Sequence, residues 1–445
     1  MKTAASTAVE TNGVQRIREL AGQRFVELGW PTPRLEEWKY TNLQTLQSRF
    51  AAGVFRESSP DGRHARAGAR SGAPAASSHS MRFGDRAIAE LVFVDGVFAE
   101  EASTISNQCG VRVSNFRNAA PEVLEKHFAK HADYENHAMV ALNTANAQDG
   151  AVIEVADAVE GFVHVLFIGS DGFQSHPRNL FVVGRSAQIA IAESYAGSGT
   201  YFTNAVTEIV AGEGSVVDHS RLECESTGAF HIGTVHIRQE RSSSVTSRSF
   251  AIGGGIARMD TNVVFAGEGA NLVLDGLFVT AGKQHIDNHT VIDHAVPHCE
   301  SIELYKGVLD DDSRGIFDGV IIVREGAQKT VSRQTNKNLL LSESAVVDSK
   351  PTLEIYNDDV KCNHGSTIGQ IEEEPMFYLR SRGIGEQDAR NLLVYAFASE
   401  IVDRIRIEAV REQTGHAIFR QMPGSLPERR DERREAIAAG NQSRN

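Results

Sequence analysis

The sequence predicts a mainly β protein: a parallel β-helix core with helical regions on either side. Two observations carry this. From Ala151 to about residue 360 a small-residue turn followed by a short alternating strand recurs irregularly, as in Gly184-Arg185-Ser186-Ala187-Gln188-Ile189-Ala190-Ile191, Gly267-Glu268-Gly269-Ala270-Asn271-Leu272-Val273-Leu274 and Ser342-Glu343-Ser344-Ala345-Val346-Val347. Imperfect repetition of one strand unit is what a solenoid produces when each coil buries its face on the next. Second, helical periodicity is confined to the flanks. A β-sandwich is the competing architecture, and the repeated turns favour the solenoid.

The elements follow in order. Residues 1–55 form a helical region: Val14, Ile17, Leu20, Ala21, Phe25 and Leu28 lie on one helical stripe that ends at Gly29, with Pro31 just beyond. Residues 56–80 are Ser, Gly, Ala and Pro with hardly a large apolar side chain, too little to offset ordering entropy, and read as a flexible linker. Residues 81–150 are a mixed α/β lead-in with a helical patch around Pro121–Ala147. The β-helix core spans 151–370. Residues 371–425 turn helical: acids at Glu386 and Asp388 suit the positive end of a helix, and Ala389, Leu392, Leu393, Ala396, Phe397, Ile401 and Ile405 mark an apolar stripe. Val394, Tyr395, Ala398 and Val402 widen that stripe toward burial on two sides. Residues 426–445 are a charged, frayed tail.

Composition narrows the function. The chain has 445 residues, 41% of them hydrophobic, enough for one large domain with a substantial core. Its net charge of -13 argues against nucleic acid or an anionic membrane as the main partner, since both select clustered Lys and Arg. Met1–Gln23 lacks an apolar signal core, and no run of about 18 apolar residues occurs, so a cytoplasmic protein with free thiols is expected. Gly253-Gly254-Gly255 has no following Lys-Ser/Thr, so the sequence carries no phosphate-binding loop.

Two constellations carry chemistry. In Asp358-Asp359-Val360-Lys361-Cys362-Asn363-His364-Gly365, a thiol and an imidazole stand two residues apart on a strand, so Cys362 and His364 face the same way, with Asp358 further along. The cysteines are four in number, Cys109, Cys224, Cys299 and Cys362, and are dispersed without a Cys-x-x-Cys pair. A self-contained iron–sulfur or zinc site draws about four locally grouped ligands, so this chain is not expected to hold alone whatever Cys362 and His364 bind; the competing reading is a buried Cys beside a turn histidine. The second constellation is His285, Asp287 and His289 on one strand face, which resembles the ligand set of a metal-dependent hydrolase or lyase. Against this, solenoids stack hydrogen-bonded polar ladders along a face.

Several blocks together resemble one family: Arg34-Leu35-Glu36-Glu37-Trp38-Lys39-Tyr40-Thr41, Tyr305-Lys306-Gly307-Val308-Leu309, Ala327-Gln328-Lys329-Thr330, Lys350-Pro351-Thr352-Leu353-Glu354-Ile355, Lys361-Cys362-Asn363-His364-Gly365 and Phe377-Tyr378-Leu379-Arg380-Ser381-Arg382-Gly383-Ile384. In this order they are similar to the SufB/SufD family of the SUF iron–sulfur cluster assembly machinery, on its SufD side. Asn363 and Ser366 stand where the family leads one to expect Ser and Ala. The resemblance implies a right-handed β-helix core and a non-catalytic scaffold that pairs with a SufB-like paralogue. It also implies a C-terminal helical region, bearing Leu392, Leu393, Phe397 and Ile401, that docks the SufC-like ATP-binding-cassette ATPase. The implied cofactor is a transient cluster or iron shared with the partner at His364, beside Cys362, and none is held stably by the isolated chain, for which a homodimer is the alternative assembly.

Overall fold

A computed structural model describes residues 12–58, 81–105 and 110–421. The expected linker at 56–80 and the tail at 426–445 therefore lie outside the described residues, except that Arg56–Glu57 forms a short strand paired with Phe173–Gln174.

The repeated turns build a solenoid of about eight coils. Each coil gives one strand to each of two sheets: Phe202 pairs with Phe230, Ile256 with His285 and Arg314 with Val346 in the first sheet, while Val216 pairs with Ser244, Asn271 with Glu300 and Val331 with Lys361 in the second. These ladders are parallel. The exceptions are Val111–Asn115, antiparallel to Ala151–Val155, and the hairpin Ala89–Val94/Val97–Phe98.

The small-residue turns have a backbone cause. One corner of successive coils is made by Ser186, Gly214, Ser242, Gly269, His298 and Lys329, all at positive φ between 56° and 72°. Side chains tolerate that region poorly, so Gly or a short polar residue is favoured there. The next residue in each turn, Ala187, Ser215, Ser243, Ala270, Cys299 and Thr330, is buried, and these stack as a column of small side chains along the bend. Cys299 thus occupies the place that Ala270 and Thr330 take in neighbouring coils.

Alternation divides each strand between two environments. Inward residues such as Ile189, Ile191, Val217, Leu272, Leu274, Phe317 and Ile321 form the core between the sheets. Outward residues of the second sheet, including Leu222, Phe250, Leu277 and Val308, pack under the helices Glu386–Val402 and Glu408–Gln421 through Val394, Ala398, Ile401, Val410 and Ile418. The first sheet is covered near its start by the N-terminal elements, with Trp38, Leu46 and Leu142 against Phe202, Phe230 and Ile232. The helix Asn12–Leu28 ends at Gly29, whose φ of 68° makes it the left-handed residue that stops a helix. The solenoid's last two strands, Val346–Ile355 and Lys361–Gly369, are each paired on one side only. Among the described residues no further coil covers them.

Candidate functional site

The strand Lys361–Gly369 lies on Val331–Leu340 with Cys362 opposite Ser332, His364 opposite Gln334 and Ser366 opposite Asn336. Ser332, Gln334 and Asn336 are buried, facing the solenoid interior. Strand alternation therefore puts Cys362, His364 and Ser366 on the same inward face, one coil further on, where no strand among the described residues lies above them. Cys362 is half-buried against the rim of the core, and burial pushes its thiol up. His364 is exposed. Ser366 Oγ lies 2.7 Å from Ser349 Oγ, which in turn donates to Asn336 Oδ1 at 2.8 Å, so the last strands of the two sheets are linked across the open end. Asp358 sits in the bend before the strand, not on the shared face as expected.

Beneath this end the interior is unusually polar. Glu303, fully buried, accepts from Gln334 Nε2 at 2.7 Å; burial outweighs that hydrogen bond and raises its carboxyl to about 7. Deeper in the solenoid, Glu223, Glu225 and His231 form the one set of three such side chains, among the described residues, whose ligand atoms converge within 4.8 Å. The arrangement does not suit a metal ion. Arg221 reaches both Glu223 Oε1 and His231 Nε2, and His231 Nδ1 is 2.7 Å from Glu225 Oε2, so a guanidinium already sits where a cation would go. The sequence offered no hint of Glu303, Gln334 or this cluster beyond polar residues at inward positions of predicted strands.

His285, Asp287 and His289 do share one outward face, as expected, but their hydrogen bonds bind the N-terminal segment to the solenoid. Thr41 Oγ1 lies 2.8 Å from His285 Nε2 and donates to Asp287 Oδ2 at 2.5 Å. Arg258 donates to Asp287 at 3.1 Å and to the Glu37 carbonyl at 2.5 Å, with its guanidinium 3.9 Å from the Trp38 ring centre. His289 Nε2 is 2.9 Å from Asp287 Oδ1. Burial opposes ionisation of Asp287, yet the Arg258 charge and these hydrogen bonds hold its carboxyl well below the usual carboxylate range. A groove of about 440 Å³ opens beside this face, lined by Trp38, His236, Asp260, His289, Asp318 and Lys350. Its charged groups are already paired, Lys350 with Glu36 and Asp318, and Arg258 with Asp260 and Asp287. The Trp38-Lys39-Tyr40-Thr41 block is thus the N-terminal half of a tether.

On the helix Glu386–Val402 the four singled-out residues separate. Leu392 is 50% exposed, Leu393 and Phe397 are half-buried, and Ile401 is fully buried on the second sheet. Phe377 at 74% and Tyr378 at 57%, on the preceding helix Glu373–Ser381, add exposed aromatic surface nearby in sequence. Cys224 and Cys299 are free thiols, each pushed up by burial, Cys224 to about 12, which leaves them unreactive at neutral pH. Cys109 lies outside the described residues. Among the described residues no helix is long and apolar enough to cross a membrane.

Comparison with known proteins agrees with this architecture. The family model described as "SUF system FeS cluster assembly, SufBD core domain" matches residues 166–397, and that of the "SufBD protein N-terminal region" matches 87–161. The chain is 30% identical over 411 residues to the iron–sulfur cluster assembly protein SufD of Escherichia coli, covering 90% of this chain and 92% of that protein. It is 32% identical over 413 residues to an iron–sulfur cluster assembly SufBD family protein of Synechocystis, covering 88% of each. To SufD of Bacillus subtilis it is 26% identical over 330 residues, 70% of this chain and 74% of that one.

Proposed function

The chain belongs to the SufBD family of iron–sulfur cluster assembly proteins, and from that premise we propose that it is a non-catalytic scaffold whose open solenoid end pairs with a SufB-like paralogue. The nascent cluster, or its iron, is the cargo held at that junction. One observation carries the reading: the final coil presents Cys362 and His364 on one inward face, and no third His, Cys, Asp or Glu among the described residues converges with them. A thiolate and a neutral imidazole suit iron, and a facing subunit supplies the remaining ligands. Partner pairing there also satisfies the free backbone edges of Val346–Ile355 and Lys361–Gly369.

The second partner in this reading is a SufC-like ATPase, since the sequence has no nucleotide-binding loop of its own. It docks on the C-terminal helical region through Leu392, with Leu393 and Phe397 at the margin and Ile401 anchoring the helix from below. Phe377 and Tyr378 extend the accessible surface.

The test is to compare variants in the complex assembled from all three chains, by thermal melting and by cluster yield per folded complex. His364→Ala is expected to assemble and melt like the parent while losing most of its cluster; Cys362→Ala is expected to lose less. A normal yield from His364→Ala places the site elsewhere. The reverse pattern, in which His285→Ala or His289→Ala folds normally and abolishes cluster formation, favours the outer face instead.

A further inference from the structure

Glu303, Gln334 and His364 occupy successive rungs of the second sheet: Glu303 is the register partner of Gln334, and Gln334 that of His364. All three side chains point inward, and register neighbours on parallel strands stand about 5 Å apart at Cβ, within reach of one side-chain hydrogen bond. Gln334 is fully buried, and its Nε2 donates to Glu303 Oε2 at 2.7 Å. In that bond the amide turns its NH2 group toward Glu303 Oε2. Gln334 Oε1 is thereby directed away from Glu303, and it has no hydrogen-bond partner among the described residues. A buried carbonyl oxygen without a donor costs about 1 to 3 kcal/mol. The nearest ladder position able to supply a donor is His364, whose imidazole carries an N–H in every protonation state.

We infer that Gln334, locked in orientation by Glu303, is a positioning residue that accepts the N–H of His364 and thereby fixes its tautomer and ring orientation. The other ring nitrogen, carrying a lone pair, is then presented out of the open end. Histidines that bind metals commonly hold their second N–H on a carbonyl or carboxylate in this way, and losing the support lowers affinity or activity by about 10- to 100-fold. The inference rests on the reading of His364 as the cargo ligand. No proton is transferred in it.

The experiment uses the full chain. Long-range nitrogen–proton NMR of 15N-histidine-labelled protein, with His364 assigned by its loss in His364→Ala, reports the tautomer directly and needs neither cluster nor partner. One tautomer is expected to dominate in the parent. Gln334→Leu, of similar size and without an acceptor, is expected to move His364 toward the tautomer mixture of an unrestrained imidazole and to lower cluster yield in the assembled complex roughly 10-fold. The exchanged pair Glu303→Gln/Gln334→Glu rebuilds donor and acceptor in reversed order, leaves an oxygen facing His364, and is expected to restore both readouts. An unchanged His364 tautomer in folded Gln334→Leu overturns the inference, as does an exchanged pair that folds yet behaves like Gln334→Leu. A normal cluster yield from His364→Ala ends the underlying reading of the site instead, and the tautomer measurement still decides the hydrogen bond.

Discussion

At the scale of single residues, burial decides what each polar group does. His176 is buried against Phe202 with ring centres 5.9 Å apart, and neither ring nitrogen has a hydrogen-bond partner among the described residues. Burial holds its imidazole down at about 4, against an ordinary value of 6.5. The folded chain therefore keeps His176 neutral while the unfolded chain takes up a proton below pH 6.5. Its contribution to stability is complete above that pH and is lost as pH falls from about 6.5 toward 4, by up to about 3 kcal/mol. Urea titrations across this range should show His176→Leu less acid-sensitive than the parent; parallel curves would mean that His176 ionises in the fold. The tether residues behave oppositely. Asp287→Ala strips partners from Thr41, Arg258 and His289 and leaves a buried guanidinium short of a carboxylate, so a loss of about 3 to 5 kcal/mol is expected in equilibrium unfolding. A loss below 1 kcal/mol would show that the N-terminal segment is not held by this face. Among the cysteines, the sequence made Cys362 legible because a histidine shares its strand face. Cys299 was opaque until the turn column put it in register with Ala270 and Thr330, since a small residue after a turn has no signature of its own.

At the scale of elements, the strands were readable because their turns repeat, and the positive-φ corners account for the Gly or Ser in four of the six turns, with His298 and Lys329 in the other two. The helix Glu386–Val402 was readable only in part. Its apolar stripe is broad, as the sequence indicates, but periodicity cannot say which side meets the protein's own sheet. Val394, Ala398 and Ile401 do, leaving Leu392 and Tyr395 outward. Ions finish the attachment: Lys306 Nζ is 2.6 Å from Glu400 and donates to the Phe397 carbonyl at 2.6 Å, while Arg404 reaches Asp275 at 3.0 Å. Lys306 also lies 4.1 Å from the Phe397 ring centre. Lys306→Met should loosen this helix without melting the solenoid beneath it, and hydrogen exchange is the measurement: faster exchange across 386–402 with unchanged protection in 271–309 is expected. Equal acceleration in both would mean that helix and solenoid open as one unit. Leu392→Glu should weaken ATPase capture while leaving the melting temperature within a few degrees, because that side chain touches little of its own protein.

At the scale of the whole molecule, the solenoid is closed at one end and open at the other. A hairpin and an antiparallel strand finish the first coils, whereas Val346–Ile355 and Lys361–Gly369 end in unpaired edges above a polar interior. That asymmetry was not visible in sequence, because the last repeat differs from its predecessors only in what lies beyond it. The proposal of a shared site starts from the sequence, where four dispersed cysteines do not make a cluster site in one chain. The most direct measurement is anaerobic reconstitution with iron and sulfide, followed by absorbance and Mössbauer spectra, on this chain alone and mixed with its SufB-like paralogue. A stoichiometric cluster only in the mixture, reduced sharply when this chain carries His364→Ala, is the predicted result. A stable stoichiometric cluster on the isolated chain would contradict the shared site at the open end.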